Sequence, residues 1–375
     1  MPRSESTPRS IMFAAGGTAG HVEPALATAD AIRQSDPSAR ISFLGTAEGI
    51  ENQLVPQRGY ELFTVPKASI PRGLSKDLLL LPLRLFRAVL ATKRAIVDAD
   101  AVVGFGGYLA GAAYLAARLS RIPIVIHEAN AKAGLANRLG AMFTDQIALG
   151  GPTHGLHNGI VIGLPMRQAI LRASAVMRHD ASGSRAVARS LLGLDPEKPT
   201  LVVIGGSQGS LKINAAVAGA LDALLIAGIQ ILHSVGTRNE LPAAKPGYIP
   251  TPYLSKIEVA YSAADVLVAR SGAATCHEVV AFGLPAIFVP LPHGNGEQAL
   301  NAAPLVEAGA ALSIDDDKFN GDVLFDQILA LFKDEDTLNR MHNAGLQLAR
   351  LDAANDLAAI VIKVADESRS IRGTK

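Results

Sequence analysis

The stretch "TLVVIGGSQGSLKINAAVAGALDALLIA", Thr200–Ala227, carries the reading of the whole chain. Thr200 to Ile204 is a short apolar run that ends in Gly205-Gly206, and a helical pattern follows from Leu211 to Ala227. An apolar run closed by glycine is the signature of a strand buried on both faces, and strand, glycine turn and helix in succession open a βαβ unit. The same device stands 189 residues earlier, where Ile11 to Ala15 runs into Gly16-Gly17. A helix is predicted after it, from Pro24 to Gln34.

Further short runs spread outward from these two. Ile41–Leu44, Ala101–Gly104, Ile124–His127, Gln146–Leu149 and Gly159–Ile162 follow the first. Gln230–Val235, Val266–Ala269 and Ala286–Val289 follow the second. The fold class is therefore α/β, with two doubly wound parallel-sheet domains at 1–165 and 166–349 and a boundary near Gly163 to Arg167. Ala173 to Ala188 holds no strong strand and reads as one helix plus a loop. The tail from Asp334 to Asp366 is helical in pattern, and its last part, about residues 350–375, is expected to pack back on the first domain.

Composition narrows the function. Lys and Arg number 35 against 34 Asp and Glu, a net charge of +1, so nothing draws the whole chain to nucleic acid. Any anion site must be local. With 49% hydrophobic and 18% charged residues the chain is not a disordered one. The single cysteine, Cys276, excludes an intrachain disulfide and suits a reducing cytoplasm. The nine histidines form no close metal-type cluster. Met1 to Ser10 reads as a polar tail without a signal-peptide core. No stretch of ~18 apolar residues suggests a membrane-spanning helix.

The chemistry gathers after the strands. Gly205 to Ser210 brings backbone amides and the start of a helix together, a natural anion cradle, with Ser207 and Ser210 adding hydroxyls; it also fits a plain tight turn. Gly16-Gly17-Thr18-Ala19-Gly20-His21 repeats the arrangement with a histidine at the helix start. Neutral imidazole there can act as a general base, or His21 can simply hydrogen-bond the turn. Neither turn has the G-x-G-x-x-G spacing of a dinucleotide site, which argues against hydride transfer. Arg270 to Glu278 puts Ser271 and Gly272 at a third helix start, with Glu278 about two turns in as an acceptor for ribose hydroxyls or as a solvated helix residue. Pro290 to Gln298, with Asn301, is a loop rich in groups that suit sugar hydroxyls, or an ordinary surface loop. Gly104 to Tyr108, and His127 to Asn130 with Asn137, lie where polar residues line the crevice of an open α/β sheet. His127 also fits a satisfied core histidine.

Lys67 to Arg94 carries seven basic residues, Lys67, Arg72, Lys76, Arg84, Arg87, Lys93 and Arg94, against Asp77 alone. Leu78, Leu81, Leu85, Phe86, Val89 and Leu90 follow helical spacing within it. This reads as an interfacial surface for anionic lipid, or as a core stripe with a solvated basic face. Pro82 is expected to begin or kink that helix. Asp98-Ala99-Asp100 is rejected as a metal clamp because it precedes a strand. Asp315 to Asp317 reads as a surface turn.

Together these segments resemble one family. "GGTAGHVEPALA", "GFGGYLAGAAYLAA", "IPIVIHEANAKAGLANR", "VIGGSQGS", "ARSGAATCHEVVAFGLPAIFVPLP" and "QALNA" stand in the order and spacing of the MurG family, glycosyltransferase family 28. Its members add N-acetylglucosamine (GlcNAc) to a lipid-linked muramyl-pentapeptide, and the resemblance covers nearly the whole chain. It implies a GT-B fold, two Rossmann-like domains facing a deep cleft, and inverting transfer from UDP-GlcNAc to the C4 hydroxyl of MurNAc in lipid I, giving lipid II. It implies no cofactor and no tightly bound catalytic metal.

The resemblance puts Ser207 and Gln208 on the pyrophosphate, and Arg270, Ser271, Gly272 and Ala273 near the nucleotide. Leu254 falls by the uracil, Glu278 on the ribose, and Glu297 and Gln298 on GlcNAc. Thr18, Gly20, Asn130 and Arg167 are further donor contacts. Gly16, Gly17, Tyr108, His127 and Asn137 belong to the acceptor side, with His21 and Glu128 as catalytic residues and His21 the favoured base. A peripheral place on the cytoplasmic face of the bacterial plasma membrane and division or elongation partners are implied too. Four positions depart from the family pattern: Ala19 for glycine, Glu23 for an apolar residue, Glu297 for glutamine and Leu164 for asparagine. Tryptophan is absent, so a membrane patch must rely on Leu and Phe. An epimerase using the same donor, or a nucleotide-sugar binding protein without turnover, are the competing readings.

Overall fold

A computed structural model describes residues 8–67, 76–293 and 296–373. The chain divides into two compact units, Met1–Arg167 with Leu351–Lys375, and Gln168–Arg350. The first contains β1 (Ser10–Ala14), α1 (Ala19–Ser35), β2 (Arg40–Gly45), α2 (Glu51–Gln57), β3 (Glu61–Thr64), α3 (Lys76–Ala95), β4 (Ala101–Gly104), α4 (Gly107–Ser120), β5 (Ile124–Glu128), α5 (Leu135–Gly140), β6 (Ile147–Leu149) and β7 (Ile160–Val161). The second contains α6 (Gln168–His179), α7 (Ala181–Leu191), β8 (Thr200–Ile204), α8 (Leu211–Ile226), β9 (Gln230–Ser234), β10 (Tyr248–Thr251), α9 (Ile257–Ala263), β11 (Val266–Ala269), α10 (Ala273–Phe282), β12 (Ala286–Phe288), α11 (Glu297–Glu307), β13 (Ala311–Ser313), α12 (Gly321–Lys333) and α13 (Glu335–Leu348). The last helix, α14 (Ala353–Gly373), belongs to the first unit.

Each unit is built on one parallel sheet. The orders are β3-β2-β1-β4-β5-β6-β7 and β10-β9-β8-β11-β12-β13. In both, the strand order reverses beside the first strand, between β1 and β4 and between β8 and β11. Crevices at such reversals are where open α/β sheets bind ligands. The central strands are apolar along most of their length because helices cover both faces. On one face of the first sheet Phe13 stacks on Phe43 at 5.0 Å between ring centroids. Leu357 and Val361 of α14 are fully buried in that same layer. This packing of α14 on α1, β4 and β5 is what places the C-terminal helix in the first unit.

Several expectations need correction. Helix α1 begins at Ala19, five residues before Pro24, because Gly17 at φ +87° turns the chain and the Thr18 carbonyl accepts from the His21 and Val22 amides. Pro24 removes a ladder bond near the helix start, where few are lost. The segment read as helix plus loop is two helices. Asp180 separates them and caps the second by accepting from the Gly183 amide at 3.0 Å. Arg189 anchors α7 through Asp265, the Ala263 carbonyl and the Pro196 carbonyl. Strands β3, β10 and β13 were not expected; each pairs on one side only. Of the two readings of Pro82, beginning or kinking the helix, the first is excluded because Pro82 lies inside α3. Arg72 lies outside the described residues, as do Gly294 and Asn295 of the 290–298 loop.

Candidate active site

In the second unit, the loop after β8 and the start of α10 after β11 line one cavity of about 680 Å³. That is a volume suited to a small ligand. Ser207, Gln208, Arg270, Gly272 and Gln298, five of the residues expected to contact the donor, line it. The first-turn amides of α8 and α10 have no intrahelical acceptors and carry the positive ends of both helix dipoles. Local sequence explains the turn. Gly209, at φ +78°, lies so close to the Val235 carbonyl that a Cβ would overlap it, and Asn239 ties Gln208 and Val235 together through their carbonyls. Ser210 caps α8 by accepting from Ile213.

Arg270 is held on every side. Its Nη1 donates to the Val289 carbonyl at 2.9 Å and the Pro290 carbonyl at 3.2 Å, and its Nη2 to Ser210 Oγ at 2.7 Å. Nη1 also lies 2.5 Å from Asp316 Oδ1, a charge contact rather than an aligned hydrogen bond. Residues 315–317 do run into a surface turn with Asp315 and Asp317 exposed, but Asp316 between them lines the cavity beside Arg270. Lys212 and Thr275 line it too. Sequence reasoning missed these three. For Lys212 the available signal was its position in the first turn of the helix after the glycine loop.

Other expected donor residues stand back from this cavity. Ser271 is fully buried, with its Oγ unpartnered among the described residues. Glu278 Oε2 accepts from the Tyr261 hydroxyl at 3.0 Å. Leu254, Ala273 and Glu297 are not among the lining residues; Glu297 is the first residue of α11. Gln298 Oε1 accepts from the Leu291 amide, closing the 290–298 loop. Asn301 donates to the Ser271 carbonyl.

The first unit brings a different set together. Gly16 is buried and Gly17, Thr18 and Gly20 are exposed around the half-buried His21. His21 Nδ1 lies 3.3 Å from the Gly16 carbonyl and 3.5 Å from Thr18 Oγ1. The carbonyl can only accept, so in the neutral ring Nδ1 carries the proton and Nε2 the lone pair. The ring lies against Gly106 and Gly107 at the start of α4. Tyr108 follows, with its hydroxyl 3.3 Å from Thr46 Oγ1.

Glu128 is buried. Its Oε1 accepts from the Asn130 amide and side chain, and its Oε2 from Gly134 N and Asn137 Nδ2. Asn137, fully buried, also donates to the His127 carbonyl and accepts from Tyr114. His127 Nε2 donates to the Gly163 carbonyl at 3.0 Å, and burial pushes its pKa down. The contacts of Glu128, His127 and Asn137 therefore face inward and build the loop after β5. Arg167 lies 4.0 Å from Glu23, which Arg58 also approaches. The unusual Glu23 thus has cationic neighbours.

No group of three or more His, Cys, Asp or Glu suited to a metal ion occurs among the described residues. Asp100 accepts from the Ser10 amide and lies 3.7 Å from Arg372.

Residues 11–149 match the N-terminal domain of glycosyltransferase family 28, and residues 200–357 match its C-terminal domain. The chain belongs to glycosyltransferase family 28. A Saccharopolyspora erythraea protein named UDP-N-acetylglucosamine–N-acetylmuramyl-(pentapeptide) pyrophosphoryl-undecaprenol N-acetylglucosamine transferase is 48% identical over 95% of this chain and 94% of its own length. A Streptomyces coelicolor protein of the same name is 45% identical over 94% and 97%. Among solved structures, Acinetobacter baumannii MurG aligns with a TM-score of 0.71 at 28% identity, covering 95% of this chain and all of that one. The fold of this family 28 glycosyltransferase is GT-B, two Rossmann-like domains, and its matched domains each contain one of the two loop sets described above.

Proposed function

We propose that this glycosyltransferase moves GlcNAc from UDP-GlcNAc to the C4 hydroxyl of MurNAc in lipid I, giving lipid II. The observation that carries the reading is the cavity where the starts of α8 and α10 converge on Arg270, a fixed set of donors for a diphosphate. The printed names of the 45–48% identical relatives support the substrate pair. In this reading His21 Nε2 takes the proton from the acceptor hydroxyl. The freed oxygen attacks the anomeric carbon, the bond from that carbon to the UDP oxygen breaks, and the configuration inverts. Charge developing on UDP is met by the helix-start amides and Arg270, so no tightly bound metal is required. Glu128, His127 and Asn137 serve by fixing the loop after β5.

Pure protein supplied with UDP-GlcNAc and lipid I should make lipid II, with or without EDTA. His21→Ala should lower kcat by about 10²–10⁴-fold, the range for a general base. Full turnover by His21→Ala, or loss of wild-type turnover in EDTA alone, sinks the corresponding part. An epimerase would instead convert UDP-GlcNAc without acceptor.

We also propose that α3 rests on an anionic membrane surface, where a lipid-linked acceptor resides. Leu85, Ala88 and Val89 pack inward, but Leu83, Phe86 and Leu90 remain exposed, Phe86 at 60%, with Arg87, Lys93 and Arg94 exposed on the same helix. No described helix is long and apolar enough to cross a membrane. Replacing Phe86 and Leu83 by Ser should reduce sedimentation with anionic vesicles while leaving UDP-GlcNAc binding intact; undiminished sedimentation rejects the surface.

A further inference from the structure

The first residue of α2, Glu51, is fully buried, yet no cation lies within ion-pair distance of it among the described residues. Its Oε1 accepts from the Thr46 amide at 3.0 Å and the Thr46 hydroxyl at 3.1 Å. Its Oε2 accepts from the Gly17 amide at 3.1 Å. The surroundings are cut to its shape. A Cβ on Gly45 would come within 2.7 Å of Glu51 Cγ, one on Gly16 within 3.0 Å of Oε1, and one on Gly49 would overlap the carboxyl group. Gly45 and Gly49, on either side of the turn into α2, thus make room for one carboxylate, while a Cβ on Gly16 would meet Leu109 first and then Glu51.

A buried carboxylate that meets only neutral donors among the described residues is a poor source of stability, because desolvation offsets most of what the hydrogen bonds return and an apolar side chain would pack there at lower cost. The arrangement makes sense through what it connects. One oxygen fixes Gly17, next to Gly16, whose carbonyl faces His21 Nδ1. The other oxygen fixes Thr46, whose hydroxyl also lies 3.3 Å from the Tyr108 hydroxyl. We propose that Glu51 is a positioning residue: its carboxylate sets the Gly16–His21 loop and Tyr108 in register with each other. Glu51 touches no reacting atom. It acts through Gly17 and Thr46, and the proposal rests on the reading of His21 and Tyr108 as the acceptor side of the site.

The test compares wild type with Glu51→Gln and Thr46→Val. Gln keeps the shape but puts an NH₂ where an acceptor is needed, against the Thr46 or Gly17 amide. Val keeps the shape of Thr46 but removes the hydroxyl that lies between Glu51 and Tyr108. Glu51→Gln should lower kcat for GlcNAc transfer to lipid I by about 10²-fold, the scale of an ångström-sized misplacement. The KM for UDP-GlcNAc and the stoichiometry of UDP binding should stay within about twofold, since the diphosphate cradle lies in the second unit. Thr46→Val should lower kcat by about tenfold with the same split. Amide hydrogen exchange at Gly17 should speed up in Glu51→Gln, a readout independent of turnover.

Four outcomes decide the matter. A wild type that transfers no GlcNAc fails the acceptor reading, while unchanged Gly17 exchange in Glu51→Gln fails the tether itself. An active wild type with Glu51→Gln at full kcat overturns the positioning role. Should Glu51→Gln lose UDP binding along with activity, the fold has been damaged and Thr46→Val decides: full kcat there overturns the proposal.

Discussion

The buried residues near the candidate site carry different burdens, and two of them give measurable consequences. His233 Nε2 donates to Asn214 Oδ1 and its Nδ1 accepts from the Tyr248 hydroxyl, so both neighbours fit the neutral ring. Burial pushes its pKa down to about 4. Between an ordinary histidine value of about 6.5 and about 4, the unfolded chain takes a proton that the folded chain refuses. Stability is therefore complete above that window and falls as pH drops through it, by about 3 kcal/mol at most for this residue. Denaturant melts of wild type and His233→Gln across the window should show a flatter acid limb in the variant; equal slopes exclude His233 as a source. His127 in the first unit acts in the same direction.

Asp316 works through charge. Arg270 already has three hydrogen-bond acceptors without it, so its removal should leave the guanidinium in place and take away a negative neighbour of the diphosphate cradle. Asp316→Asn should bind UDP about fivefold more tightly, and less so as salt screens the pair. Calorimetric titration at low and high salt checks this, and equal or weaker binding refutes it. Neither this pair nor Glu51 was readable beforehand. "DDD" has the composition of a turn, and only the β13–α12 connection brings its middle residue back to the end of β11. That Ser207, Gln208, Arg270 and Gly272 line a cavity was readable because they stand just past β8 and β11, whereas Gln298 lies in the first turn of α11.

At the scale of elements, legibility tracked burial on two faces. Strands β1, β4, β5, β8 and β11 carry almost unbroken apolar runs because helices cover both sides, and such runs stand out in a sequence. Strands β3 and β10 sit at sheet edges, and their partly exposed residues mix polar with apolar. Pro250 even interrupts β10, which an edge tolerates because one side of the strand needs no ladder donor. Helix α7 hid behind "DASGSRAVARS", whose Ser and Gly suggest a loop; its stability comes from the Asp180 cap and from Arg189 reaching Asp265, 76 residues away. Caps at the site are more telling. Ser210 both caps α8 and receives Arg270, so Ser210→Ala should cost about 1 kcal/mol of stability and weaken UDP binding as well. Thermal melts with and without UDP measure the two effects together. A stability loss with unchanged UDP affinity would detach Arg270 from the cradle.

Across the whole molecule, two units each own a sheet and a core, but the chain does not divide them evenly. The first unit is completed only by α14, whose Leu357 and Val361 are fully buried against α1 and the first sheet. Leu357→Ala should therefore destabilise that unit by about 2–5 kcal/mol, the range for emptying a well-packed core position. The proposed diphosphate cradle, built from β8, β11 and their helices, lies wholly in the other unit. Scanning calorimetry with UDP added should show the transition that UDP raises staying within about 1 °C of the wild-type value, while a second, UDP-insensitive transition moves down by several degrees, as expected of a domain this size. A single transition shifted as a whole would mean that the two units unfold as one cooperative body, and that the C-terminal helix stabilises the nucleotide site along with its own core.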